Sequence, residues 1–153
     1  SKSQVLISSG YGRGTALIEV TKEGDEWQSE QLWLSNRLKS KMSNFVVHDG
    51  YAYGLDSGIL ACVSIEDGKR QWKGGRYGHG QILLVGQQLL IQAESGEVVM
   101  VEAAPDKHKE LGRFQALDGK TWNHLALAGN ILLVRNDHRA AAFELPLSTS
   151  SVQ

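Results

Sequence analysis

The chain has 153 residues, a net charge of -1 from sixteen basic and seventeen acidic side chains, seventeen glycines, two prolines and one cysteine. That balance lacks the basic excess a phosphate-binding surface needs, which argues against a nucleic-acid partner. No apolar run approaches the length of a membrane span, no charged-then-apolar leader opens the chain, and a lone cysteine excludes an internal disulfide.

Read from the N-terminus, short apolar runs alternate with turn residues. Val5-Leu6-Ile7 leads through Tyr11-Gly12-Arg13 to Leu17-Ile18-Glu19-Val20, and Gln31-Leu32-Trp33 follows. Phe45-Val46-Val47, a turn at Asp49-Gly50, Tyr51-Ala52-Tyr53, a turn at Asp56-Ser57-Gly58, Cys62-Val63-Ser64-Ile65 and Arg70-Gln71-Trp72 form the next set. Ile82 to Val85, Leu89-Leu90-Ile91, Glu94-Ser95-Gly96, Met100-Val101-Glu102-Ala103 and Gly112-Arg113-Phe114 form a third. Leu125-Ala126-Leu127, Ile131 to Val134, Asn136-Asp137-His138 and Ala142-Phe143-Glu144-Leu145 form a fourth. Ile18, Val63, Val101 and Phe143 recur at intervals of 45, 38 and 42 residues, and the turn columns stay aligned with them without gaps. A period in this range signifies stacked supersecondary units that bury their apolar faces against one another.

Each unit reads as up to four antiparallel strands, A to D, with B and C a hairpin. The first unit has B, C and D, and the last has A, B and C. Four such strands per roughly 40 residues are one blade of a β-propeller. The expected fold is therefore all-β, with blades at approximately 1–40, 41–78, 79–121 and 122–145 and a polar tail at 146–153. Gln31 to Met42 reads as a long connection, with room for one turn of helix. Cys62, flanked by Ala61 and Val63 in strand C, reads as a buried structural thiol. The run Gly10-Tyr11-Gly12-Arg13-Gly14 precedes a strand, not a helix, so it offers no dinucleotide loop.

The stretch Asp67-Gly68-Lys69-Arg70-Gln71-Trp72 resembles the blade signature of the pyrroloquinoline-quinone-type propellers, in which a glycine turn is followed four residues later by a tryptophan that docks between blades. Asp67 stands for the usual threonine, Glu19, Ser64, Glu102 and Glu144 for the usual aspartate, and Phe114 for the third tryptophan; the first and third units have longer C-to-D connections. The resemblance implies docking roles for Trp33, Trp72 and Phe114. It also implies either a quinone-dependent dehydrogenase or a non-enzymatic binding module, such as the scaffold lipoprotein of outer-membrane protein assembly. The adjacent-cysteine pair of many dehydrogenases is absent, so the non-catalytic module is the expected function. The resemblance offers pyrroloquinoline quinone as a cofactor, in the family's dehydrogenases usually with a calcium ion, and a periplasmic or extracellular location comes with it. A WD-type interaction propeller is a third reading, with Gly78-His79 its sole support. Two complete and two incomplete blades, about half of the eight-bladed ring of the family's dehydrogenases, cannot close a ring, so the expected partners are a second copy or the remaining blades of a longer propeller, of which this is the C-terminal half.

In such a scaffold the B-to-C turns and D-to-A connections share one face, where ligands bind. Arg76, Tyr77, His79, Trp122, Asn123, His124 and Arg135 are the ligand-binding candidates, with stacking on Tyr77 or Trp122 and anion binding by Arg76 or Arg135. His79 and His124, each just before a strand A, with Glu94 nearby, are the weaker candidates for a metal. Asp56 and Asp137 read as turn-closing residues. No nucleophile and base are paired, and no catalytic residue is assigned.

Overall fold

The computed structural model describes residues 2–146; apart from Pro146, the expected polar tail lies outside them. Among the described residues, fourteen strands form four antiparallel sheets, three-stranded at each end and four-stranded in the middle. The first holds β1 (Lys2–Ser9), β2 (Gly14–Glu23) and β3 (Glu26–Ser35), and the second β4 (Ser40–His48), β5 (Tyr51–Asp56), β6 (Ile59–Ser64) and β7 (Arg70–Arg76). The third holds β8 (Gln81–Val85), β9 (Gln88–Gln92), β10 (Glu97–Glu102) and β11 (Glu110–Gln115), and the fourth β12 (Ala126–Ala128), β13 (Ile131–Arg135) and β14 (Ala140–Glu144). Each sheet keeps chain order, so every connection is a hairpin or a short step to the next sheet. This is the all-β, propeller-blade architecture that the repeat predicts.

The core lies between the sheets. Successive side chains of a strand point to opposite faces, and the repeat columns sort accordingly. Val63, Val101 and Phe143 face the preceding sheet, whereas Cys62 and Met100 face the following one. The middle interface is the largest, with Tyr53, Leu55, Leu60 and Cys62 of the second sheet packed on Ile82, Leu89, Ile91 and Val99 of the third. Burial pushes the Cys62 thiol up to about 12, so it carries little thiolate near neutrality. The thiol is expected to ignore a thiol-reactive dye in the native protein and to react with one equivalent in denaturant; rapid native labelling would show that the middle interface opens.

Two expectations are corrected. Residues 31–42 are not a long connection. β3 runs from Glu26 to Ser35, pairing with β2 through Lys22 and Trp27 to a two-residue turn at Gly24-Asp25. The first unit therefore has an extended hairpin where a long C-to-D loop was expected. The other correction concerns register. A bulge interrupts C-to-D pairing after Leu17, Cys62 and Met100 alike, and these residues pair with Trp33, Trp72 and Gly112. The third tryptophan position is thus occupied by Gly112. Phe114, two residues on and on the same face, still meets the fourth sheet, its ring 4.9 Å from that of Phe143.

Trp33 and Trp72 each reach across to the next sheet. The Trp33 indole donates to the Ile65 carbonyl and the Trp72 indole to that of Ala104, both at 2.9 Å. Near the innermost strands, the Asn44 amide accepts from and donates to the Ile82 backbone, as a strand neighbour would. Gln81 donates to the carbonyls of Met42 and Trp122, joining the second and third sheets to the connection that leads into the fourth.

Candidate functional site

The turn columns explain how the loop face is built. Gly58 and Gly96 sit at φ of 86° and 89°, a region glycine enters without the Cβ penalty. Gly58 O accepts from Tyr77 N and Gly78 N, and Gly96 O from Ala116 N and Leu117 N. Each B-to-C turn thereby holds the start of the connection that leaves its own sheet.

The preceding column does the complementary work. Asp56 Oδ1 accepts from Lys39 N at 3.1 Å, Glu94 Oε2 from His79 N at 3.0 Å, and the Asn136 amide donates to Asp118 O at 2.9 Å. Each polar side chain fastens the connection arriving from the sheet before. Glu94 also joins the next connection, because its carbonyl accepts from Thr121 N and its Oε1 from the Trp122 indole at 3.0 Å. The His79 N–H beside it, with the Trp122 indole, holds the Glu94 carboxyl below the usual range against the opposing effect of burial. Asp56, Glu94 and Asn136 are thus structural at this face.

Of the seven ligand candidates, the structure brings His79 and Trp122 together, their rings edge to face at 6.4 Å. Lys120 Nζ lies 3.8 Å from the Trp122 ring centre, in cation–π range. Nδ1 of His79 is buried without a hydrogen-bond partner. An open cleft of about 480 Å³ runs beside this group, lined by Arg76, Tyr77, Gly78, Glu94, Ser95, Gly119 and Lys120.

The others separate. Tyr77 is buried, and its hydroxyl sits 3.0 Å from His108 Nε2 while donating to Glu110 Oε2 at 3.1 Å, so its ring belongs to the middle interface and offers no stacking platform. His124 and Arg135 line a second concavity, on the outward side of the fourth sheet with Leu133 and Ala142. Asn123 is half-buried beside Trp122. Asp56, read from the sequence as turn-closing, meets Lys73 at 2.5 Å, Lys39 at 3.0 Å and Arg70 at 3.6 Å. His108, Glu110 and Lys120 were not singled out for the site by the sequence; the pairing of His108 and Glu110 with Tyr77 spans more than thirty residues and leaves no local signal, whereas Lys120 stands two residues before Trp122 in the same connection.

The cleft offers two exposed cations, Arg76 and Lys120, the latter lying over the Trp122 indole next to it, a set suited to an anionic or polar ligand. No group of three or more metal-ligating side chains occurs among the described residues, and among them no helix is long and apolar enough to cross a membrane.

No protein-family model matches the chain, and no curated protein matches it. Among solved structures it is similar to the crystal structure of BamB from Moraxella catarrhalis, with a TM-score of 0.51 and 15% identity over 94% of this chain. At that identity the likeness shows the fold. The match covers 47% of the BamB chain, so this chain spans about half its length.

Proposed function

We propose that this chain is a non-catalytic, quinoprotein-like propeller module that works by binding: further blades at its two outward sheet faces, and a polar or anionic ligand at the cleft beside Arg76, Lys120 and Trp122. The observation that carries the reading is the composition of those outward faces. On the first sheet Val5, Ile7, Leu32 and Leu34 are 41–55% exposed, with Ile7 opposite Ala16 and Val5 opposite Ile18. Ile18 stands in the column whose other members, Val63, Val101 and Phe143, are packed against a preceding sheet. On the fourth sheet Ile131 and Leu133 point outward among Ala126, Ala128, Ala140 and Ala142. Ala142 continues the column of Cys62 and Met100, which pack against a following sheet. The two faces are therefore the two halves of one more interface of the kind already present three times, large side chains on one side and small ones on the other.

A partner that supplies blades of the same repeat covers both faces. That partner is a second copy or the rest of a longer propeller, and the family resemblance favours an assembly in the periplasm or outside the cell. At the cleft, the side chains that look acidic and reactive in sequence are spent on holding the loops, which favours binding over catalysis.

Titration of the protein with pyrroloquinoline quinone and calcium, followed by quinone absorbance, should give no saturable binding and no dye reduction with an alcohol. Saturable binding that is lost in His79→Ala and Arg76→Ala, together with dye reduction, would replace the module by a quinone-dependent dehydrogenase.

A further inference from the structure

The bulge of strand D falls at the same register in the first three sheets, after Leu17, Cys62 and Met100, but the residue it presents to the next sheet differs in the third. In the first two, a tryptophan at the bulge of strand D fills the outer part of the interface and donates its indole N–H to a main-chain carbonyl of the next sheet. At the third, the residue in that register is Gly112, which is exposed and whose φ is not positive; a Cβ built on it meets no atom within 4 Å. A cleft of about 400 Å³ lies there, between the third and fourth sheets, with Leu90, Val98, Met100, Phe114 and Leu127 among its lining residues.

The far wall keeps the features that receive an indole elsewhere. Ile65 N donates to the Gly50 carbonyl, Ala103 N to that of Gln87, and Leu145 N to that of Asn130, which makes Ile65, Ala103 and Leu145 equivalent. The acceptors for Trp33 and Trp72 are the carbonyls of Ile65 and of Ala104, next to Ala103. The corresponding pair, Leu145 and Pro146, lines the cleft. Leu145 O receives one long bond, 3.4 Å from the Asn130 amide, and retains acceptor capacity.

We propose that this cleft is a docking site for a tryptophan side chain presented by a partner protein, the indole taking the place that Trp33 and Trp72 occupy in the other two interfaces and donating to Leu145 or Pro146. A mainly apolar slot with main-chain acceptors at its edge suits an amphipathic ring better than an aliphatic side chain. The cleft lies inside the third interface, away from both outward faces and from the Arg76 cleft, so its test is independent of the reading above.

N-acetyl-tryptophanamide is the probe, with N-acetyl-leucinamide beside it, and the methyl resonances of Leu90, Met100 and Leu127 are the readout. The tryptophan compound should saturate with Kd on the order of 0.1–1 mM, the range ordinary ligand efficiency gives a molecule of that size, and the leucine compound should bind at least tenfold more weakly. A tryptophan-bearing pentapeptide should shift the same resonances. Gly112→Trp, which supplies the indole in cis, should raise the melting temperature and abolish binding; Gly112→Leu, a smaller filler, should weaken it and keeps the test open if the larger variant fails to fold. Absence of saturation with the native protein, equal binding of the two amides, or binding that neither substitution diminishes would overturn the proposal.

Discussion

Trp72→Ala is expected to lower the stability of the chain by about 3–5 kcal/mol, the usual loss on truncating a large packed aromatic. The indole stands between sheets. Its centroid is 6.0 Å from that of Tyr53 and 5.7 Å from that of His108, and its N–H is bonded to Ala104 O. The truncation opens the largest interface at its outer edge and leaves the Ala104 carbonyl without its donor. A urea midpoint well below the parent's is the expected measurement; an unchanged midpoint would show that the tryptophan is peripheral and that strand D does not bind the sheets together.

Asp56→Ala is expected to cost about 3 kcal/mol, the lower end of the range for breaking a buried ion pair, because the cations it leaves behind keep part of their hydration. The Asp56 side chain is 1% exposed, against 28% for Lys39 and 26% for Lys73. Burial alone would raise its carboxyl, but the Lys73 and Lys39 ammonium groups outweigh burial and hold it below the ordinary carboxylate range. A depressed folded-state pKa stabilises the fold above the unfolded value and ceases to as the pH falls through the folded one. The difference in melting temperature between the native protein and Asp56→Asn should therefore be full near neutrality and shrink in acid, below the ordinary carboxylate range. A gap that widens in acid would mean that the lysines do not stabilise the charged form.

The strand count of every sheet was legible in the sequence because the turns are. Asp56-Ser57-Gly58 and Glu94-Ser95-Gly96 carry their geometry in residue type, and a glycine with positive φ has few substitutes. The β2–β3 hairpin was not legible, since residues 23–30 are exposed on both faces and carry no alternation of apolar side chains. Phe114 was set in the tryptophan column because it is aromatic, whereas register is fixed by the bulge after Met100, a backbone feature with no signature in side chains. At the loop face, His79 and Trp122 were legible as members of one rim through their places in equivalent connections, whereas the pair the sequence set before strand A, His79 and His124, is separated, His124 lining the concavity of the fourth sheet. Tyr77 was not legible as a core residue, because what buries it is the third sheet's His108 and Glu110, more than thirty positions along the chain.

Sedimentation equilibrium of the chain across a range of concentrations tests the central claim most directly, since the protein carries both halves of the interface its outward faces are built to make. Concentration-dependent association is the predicted result, abolished by Leu34→Asp on the first sheet and equally by Leu133→Asp on the fourth, with the far-ultraviolet spectrum unchanged in both. A monomer at every concentration, or an association indifferent to both substitutions, would contradict the assignment of these faces as blade-receiving surfaces.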